Sequence, residues 1–249
     1  SVFHLGRPLG AWRVFLGLGT SWMSREAIAF GVFAKVGVLF AGSVLAARFE
    51  PSWGQRIVAI ARPLLEGATA GLGLLGVFCS IMIYVVTRRT HWRAAMTATK
   101  FVGTTVVLGA ATVLMVSRLA AGLLPEAVRA STMEPLSRGL LLVVAVGAGI
   151  KLIFEALQLR HYRDRDHTVP KRVAIVMLRD LKQVTVARFL CGGIGGLLLP
   201  LVALGRLDTH GVGPGTVIAV FVLLLSGELC ERSMFFKAAP PSRMPGALS

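Results

Sequence analysis

GLLLVVAVGAGIKLIFEALQL, residues 139–159, is an apolar run of the length that crosses a lipid bilayer as an α-helix. Five similar runs occur at about residues 25–47, 64–86, 94–118, 184–204 and 214–230. Hydrophobic residues make up 55% of the 249-residue chain and its mean hydropathy is +0.72, which is too apolar for a soluble domain of this size. The sequence therefore predicts an all-α polytopic transmembrane helix bundle with six spans.

The segments between these spans indicate a single transmembrane domain over residues 1–249, with an interfacial loop at 1–24 and a basic tail at 231–249. The chain opens on Ser1, without an initiator methionine and within what reads as a motif, so we expect further sequence upstream. Glycines at four-residue spacing in the second and fifth spans favour close helix packing. A broken helix of the transporter type is the alternative for these glycines.

Positive charge is divided unevenly between the two sets of loops that six spans create. The chain has 27 Lys and Arg against 12 Asp and Glu; sixteen of the basic residues fall in 1–25, 87–93, 160–183 and the tail, against six in the other loops. The positive-inside rule places the sixteen-charge side and the C-terminus in the cytoplasm of a bacterial inner membrane. A docking surface for an acidic partner would also be basic, and both causes can act together. Because the basic residues follow the topology, we predict no nucleic-acid partner.

The histidines argue against a haem. All five, at positions 4, 91, 161, 167 and 210, lie in loops or at the ends of spans, whereas a b-type haem held between helices needs facing histidines inside the bilayer. The three cysteines have no spacing typical of a metal or Fe–S site, and no phosphate loop or Ser/His/Asp arrangement predicts a substrate site. We therefore predict no haem, no metal ligands and no catalytic residues in this chain.

The segment before the first span carries the densest set of polar and aromatic side chains. His4 and Glu26 offer a proton-exchanging pair at the membrane surface, which suits proton transfer with a lipid-soluble quinone. An interfacial belt is enough to explain Trp12 and Arg13, and a carboxylate in the first helical turn, such as Glu26, also interacts favourably with the helix dipole. The predicted quinone-binding and proton-transfer residues are His4, Arg7, Trp22, Ser24, Arg25, Glu26, Arg188 and Glu228.

Ionisable residues inside the spans are functional candidates because placing them in lipid is costly. Lys151 and Glu155 are four residues apart on one helix face, so we expect them simply to neutralise each other. Lys35 and Lys100 are expected to reach a water-filled interior or to snorkel. The fifth span begins and the sixth ends with ionisable residues on the side of the first loop, and we predict that this is the working face.

Several stretches resemble motifs of the membrane anchor subunit family of dimethyl sulfoxide reductase. They are HLGRP at 4–8, AWR at 11–13, SWMSRE at 21–26, YVVTRRTHW at 84–92, and LLLSGELCER at 223–232 followed by Phe235 and Phe236. The resemblance implies an eight-helix, haem-free anchor, so two helices are expected upstream of residue 1. It also implies that electrons pass between quinone (ubiquinone or menaquinone) and the nearest cluster of an Fe–S subunit, which serves a molybdopterin catalytic subunit. His4 and Glu26 match residues that the family associates with its quinol site.

The basic loops predict where such partners bind. The predicted docking residues are Arg88, Arg89, Arg163, Arg165, Lys171 and Arg172. Contact of the 160–183 loop with anionic lipid headgroups is the alternative.

The direction of electron flow follows from orientation together with the resemblance. In dimethyl sulfoxide reductase the catalytic subunits lie in the periplasm beside the His-Leu-Gly loop, whereas the charges here place that loop in the cytoplasm. We therefore predict quinone reduction coupled to cytoplasmic sulfite oxidation. The alternatives are a quinol-oxidising anchor of a dimethyl sulfoxide reductase-like respiratory enzyme, a purely structural anchor, and a secondary transporter.

Overall fold

The computed structural model describes residues 12, 14–46, 52–89, 92–123, 129–210 and 212–239. The α-helices in these ranges are α1 Trp22–Ala46, α2 Ser52–Val85, α3 Ala94–Ala120, α4 Glu134–Leu159, α5 Val169–Leu178, α6 Lys182–Gly193, α7 Leu199–His210 and α8 Pro214–Lys237. A π-helical segment, Ile194–Leu198, joins α6 to α7, and another, Arg129–Met133, precedes α4. Six helical stretches of the described chain are long and apolar enough to cross a membrane, which confirms the predicted all-α polytopic fold.

Two helix ends differ from the prediction. α1 begins at Trp22 because the hydroxyl of Ser21 accepts a hydrogen bond from the backbone N–H of Ser24 at 3.4 Å, as an N-cap residue does. Trp22 and Ser24 therefore belong to the first turn of α1 and not to the interfacial loop. α8 continues to Lys237, so the first residues assigned to the basic tail extend the last helix.

The chain divides into two compact units, Ser1–Thr97 and Ala98–Ser249, and the predicted single transmembrane domain stays a prediction. In the first unit α1 packs against α2. A Cβ added to Gly76 would lie 2.6 Å from a ring atom of Phe30, and one added to Gly73 would lie 3.3 Å from a ring atom of Phe33. The close helix packing predicted for the second span is confirmed at these two glycines.

In the second unit α3, α4, α7 and α8 enclose two apolar clusters. One comprises Val107, Ala110, Ala111, Val144, Ala148, Val220 and Leu224, and the other comprises Leu114, Leu141, Ala203, Leu207, Val212 and Val217. The short helix α5 buries Val173 and Met177 against Met234 and Ala238, at the end of the unit where α8 terminates. Thr185 of α6 fixes this arrangement by donating a 2.7 Å hydrogen bond to the carbonyl oxygen of Met177.

The fifth span is helical from Lys182 to His210, and its Gly192, Gly195 and Gly196 lie at close packing contacts. A Cβ added to Gly195 would lie 2.5 Å from the Cβ of Leu223, and one added to Gly196 would lie 2.5 Å from the Cβ of Ala148. The alternative of a broken transporter-type helix is therefore wrong for this span. The π-helical segment widens the helix without interrupting it.

Gly195→Ala is expected to lower the free energy of unfolding by about 1–3 kcal/mol, because the new methyl group would overlap Leu223 in a packed interface. Gly193→Ala is the matched control, since a Cβ there meets no described atom within 4 Å. Thermal unfolding of the two purified variants in detergent measures the difference. Equal melting temperatures for the two variants would contradict close packing at Gly195.

Candidate functional site

Glu26 is a carboxylate within a membrane-spanning helix, and it has a buried polar partner. The hydroxyl of Ser80 on α2, which is 7% exposed, donates a hydrogen bond to Oε1 of Glu26. The same hydroxyl lies 3.1 Å from the carbonyl oxygen of Gly76, which is a second acceptor for its hydrogen. The Glu26 carboxylate thus accepts a hydrogen bond from a buried donor inside the first unit.

The position of Glu26 on α1 corrects the expectation that this carboxylate interacts with the helix start. The first turn of α1 contains no acidic residue, because the helix begins at Trp22 and Glu26 follows in the second turn. Ser21 provides the cap instead. The carboxylate of Glu26 is thereby directed to α2, and no capping role competes with a functional one.

The other described residues near the start of α1 pack against α2 or hold the turn before the helix. Trp22 packs edge-on against Phe78 of α2, with ring centroids 5.8 Å apart. Arg25 lies over the Trp22 ring at 4.3 Å and donates 2.9 Å hydrogen bonds to the carbonyl oxygens of Leu18 and Gly19. Arg25 therefore fixes the turn that leads into α1, while Trp22 forms an aromatic contact between α1 and α2.

Ser24 is buried, and its hydroxyl occupies the space that a Cβ on Gly17 would need. His4 and Arg7 lie outside the described residues, so their predicted roles in quinone binding stay predictions.

A second polar centre lies in the second unit, where six ionisable side chains from four helices form a buried ion-pair cluster. They are Lys100 of α3, Lys151 and Glu155 of α4, Arg188 of α6, and Glu228 and Glu231 of α8. The side chain of Lys100 is 12% exposed and those of the other five are at most 3% exposed. The cluster contains equal numbers of cations and carboxylates, so its formal charge is balanced.

The contacts of this cluster join the helices in a chain of shared partners. Arg188 donates hydrogen bonds of 2.8–3.2 Å to both oxygens of Glu155 and one of 3.1 Å to Oε1 of Glu228. Lys151 donates to Oε2 of Glu228 and, at 2.8 Å, to Oε2 of Glu231. Lys100 completes the chain with its ammonium nitrogen 3.5 Å from Oε1 of Glu231.

Lys151 and Glu155 find their partners on other helices, so the expected neutralisation of this pair by each other is wrong. Arg188 and Glu228, by contrast, do lie together as the prediction of one working face requires. Glu26 belongs to the first unit and these two residues belong to the second. Their gathering at one face with Glu26 stays a prediction.

The predicted docking residues differ in what they can contact. Arg88, Arg89, Arg163, Arg165 and Arg172 are exposed. The ammonium group of Lys171 instead donates hydrogen bonds to the carbonyl oxygens of Asp164 and Arg165, at 2.6 and 3.4 Å. Lys171 therefore shapes the loop that presents its arginine neighbours.

Sequence reasoning missed Ser80 as a site residue and did not assign Lys100, Lys151, Glu155 and Glu231 to a common cluster. The three-residue spacing of Glu228 and Glu231, which puts both on one face of α8, was a usable signal. The sequence gives no such signal for Ser80, because the role of a serine in an apolar helix depends on which residue packs against it.

Comparison with known proteins gives both a family and individual relatives. The family model described as DMSO reductase anchor subunit (DmsC) matches residues 1–237. The C subunit of sulfite dehydrogenase from Allochromatium vinosum is 34% identical over 125 residues, which are 47% of this chain and 36% of that protein. Anaerobic dimethyl sulfoxide reductase chain YnfH of Escherichia coli K12 is 25% identical over 239 residues, which are 95% of this chain and 75% of the relative. No solved structure matches significantly.

Proposed function

The chain belongs to the family of DMSO reductase anchor subunits (DmsC), and from that premise we propose that it is the quinone-reactive membrane anchor of an oxidoreductase. The observation that carries the proposal is the Glu26 carboxylate, which lies on a membrane-spanning helix and accepts a hydrogen bond from the buried hydroxyl of Ser80 on α2. Placing an ionisable residue inside a membrane span costs free energy, so such a residue is a functional candidate by default. Proton exchange with a membrane-dissolved carrier is a task that fits a carboxylate near one end of its helix.

The side chains around Glu26 are suited to a quinone head group. A carboxylate and a hydroxyl supply hydrogen-bond partners for ring oxygens, while Trp22 and Phe78 supply aromatic surface. A bound quinone would accept electrons and protons together. His4, matched by the family resemblance, would provide a second proton-exchanging group on the same segment of the chain.

The Ser80 hydroxyl allows Glu26 to hold or release a proton without rearrangement of the helices. When Glu26 is ionised, Ser80 donates to its Oε1. When Glu26 is protonated, its own O–H can donate to Oγ of Ser80, whose hydrogen then turns to the carbonyl oxygen of Gly76 at 3.1 Å. Each protonation state thus has a satisfied hydrogen-bond arrangement, which suits a proton relay.

Arg188 and Glu228 have a different place in this proposal. Their hydrogen-bonding groups are engaged within the buried ion-pair cluster, so we assign direct quinone contact to His4 and Glu26 alone. The exposed Arg163, Arg165 and Arg172 would bind an acidic surface of an Fe–S subunit, which in turn serves a molybdopterin catalytic subunit.

Charge asymmetry supports an orientation with these arginines in the cytoplasm of a bacterial inner membrane, because sixteen basic residues fall in the loops of that side against six on the other. A sulfite dehydrogenase component is among the relatives. We therefore favour electron flow from sulfite, through partner chains, to quinone at this subunit. Quinol oxidation by an enzyme resembling the YnfH system is the second candidate.

Purification of the native complex through this subunit tests the proposal. Molybdenum and iron in the complex, together with sulfite-dependent quinone reduction, are the expected result; partners that lack both metals would overturn the anchor function.

The triple variant R163E/R165E/R172E is expected to lose its partner subunits. Arg56→Glu, which changes an exposed arginine in the first turns of α2, should retain them. Turnover with quinol and dimethyl sulfoxide, but not with sulfite, would favour the second candidate.

A further inference from the structure

The fifth span changes from α-helical to π-helical hydrogen bonding at Ile194–Leu198. The backbone N–H of Ile194 donates to the carbonyl oxygens of Leu190 and Cys191, four and three residues earlier. That of Leu199 donates to the carbonyl oxygen of Ile194, five residues earlier. The turn between them therefore contains one residue more than an α-helical turn, and because π-helix is rare in proteins, its presence in a packed span calls for a physical reason.

The span contacts the same two neighbouring helices on both sides of the π-helical segment, since α6 and α7 each pack against α4 and α8. Arg188, before the segment, bonds to carboxylates of α4 and α8. Leu207, after it, belongs to the apolar cluster that also contains Leu141 of α4 and Val217 of α8. Both side chains are buried within the second unit. Arg188 and Leu207 therefore lie on one face of the span.

The spacing of these two residues does not fit a regular α-helix. Arg188 and Leu207 are 19 residues apart, which is about 5.3 turns, so in a continuous α-helix their side chains would point about 100° apart. One residue fewer would give about 5.0 turns and would align the two side chains. The neighbouring helix α4 needs no such correction, because its buried Leu141 and Glu155 are 14 residues apart, or about 3.9 turns.

Glycines make room for the wider turn where α4 and α8 approach it. A Cβ added to Gly195 would lie 2.5 Å from the Cβ of Leu223 on α8, and one added to Gly196 would lie 2.5 Å from the Cβ of Ala148 on α4. Both glycines belong to the π-helical segment. The extra residue is thus accommodated at positions without side chains, between the buried ion-pair cluster and the apolar cluster that contains Leu207.

We propose that the π-helical segment is a one-residue register insertion, which keeps Arg188 in the buried ion-pair cluster while Leu207 stays in the apolar cluster. The guanidinium group of Arg188 bonds to carboxylates of two helices, and a rotation of the helix by about 100° would direct it away from them. A charged group left without a partner inside a membrane costs free energy. The segment therefore sets the phase between the two halves of the span.

Deletion of Ile194 tests the proposal, because it brings the span to the length of a regular α-helix with the same phase. Ile194 is 40% exposed, so its side chain contributes little to the packed interior. We expect the full-length protein lacking Ile194 to assemble in membranes in close to the wild-type amount.

Deletion of Val146 is the matched control, because Val146 is 60% exposed and lies between Leu141 and Glu155 on the regular helix α4. Its loss would rotate these two residues relative to each other by about 100°, so the assembled amount should fall at least about tenfold. Equal amounts of the two deletion variants, whether high or low, would overturn the proposal.

A substitution then shows whether Arg188 keeps its place when Ile194 is deleted. Arg188→Met is expected to lower the melting temperature of the protein lacking Ile194 as much as that of the wild type, because the guanidinium group still bonds to the same carboxylates. No effect of Arg188→Met in the protein lacking Ile194 would mean that the group has left the cluster, which would contradict the proposal. Both tests measure assembly and unfolding of this chain, so they do not depend on quinone turnover.

Discussion

Arg188→Met is expected to destabilise the folded protein by about 3–5 kcal/mol, the loss typical of breaking a buried ion pair from one side. The Arg188 side chain is among the most deeply buried in the second unit, and its guanidinium group bonds to both Glu155 and Glu228. Methionine fills a similar volume but leaves the Glu155 carboxylate without a cation in an apolar environment. Thermal unfolding of the purified protein in detergent, together with the yield from membranes, measures the effect.

Two variants make this prediction specific. Arg188→Met combined with Glu155→Gln removes one charge of each sign, so the double variant is expected to recover much of the lost stability. Arg62→Met is the matched control, because Arg62 also pairs with a glutamate but its side chain is 56% exposed, and its loss should cost only about 0–1 kcal/mol. A double variant no more stable than Arg188→Met would contradict charge balance as the basis of the cluster.

The buried ion-pair cluster is accommodated by two close backbone approaches. A Cβ added to Gly103 would lie 2.9 Å from Cδ of Lys151, and one added to Gly227 would lie 3.1 Å from Nη1 of Arg188. The absence of side chains at these glycines therefore leaves room for the two cations. Because the cations reach carboxylates on other helices, the cluster favours one register of α4, α6 and α8 over shifted alternatives.

The fold was predictable because hydropathy is a local property. Each span is determined by the hydropathy of about 20 consecutive residues, and all six predicted spans are found in the described part of the chain. The helix ends were less predictable, since they depend on single interactions. The hydroxyl of Ser21 starts α1 ahead of the apolar run, and that shift of less than one turn moves Glu26 out of the first turn.

The site was predictable only in part because its partners come from distant parts of the chain. Glu26 was identified from residue type and position, but its contact with Ser80 joins residues 54 positions apart. Lys151 and Glu155 form a local pair by spacing alone, yet their partners lie 33 to 80 positions away. Local periodicity identifies which residues are costly in a membrane; helix packing decides which residues neutralise them.

Glu26→Gln is expected to reduce quinone turnover by about 10²–10⁴-fold while leaving assembly intact, the loss typical of removing a general acid–base group. The amide keeps the shape of the carboxylate, and its carbonyl oxygen can still accept the hydrogen bond from Ser80. It cannot bind and release a proton, so only the relay is removed. Sulfite-dependent quinone reduction by the purified complex, compared at equal content of partner subunits, measures the effect.

Glu66→Gln is the control for this prediction, because Glu66 is a carboxylate of the same unit that is paired with Arg62 and is 47% exposed. We expect it to leave turnover unchanged. Ser80→Ala should have an intermediate effect, since Glu26 keeps its carboxylate but loses its buried hydrogen-bond partner. Wild-type turnover in Glu26→Gln would remove Glu26 from the proton path, and loss of partner subunits in that variant would favour a purely structural anchor.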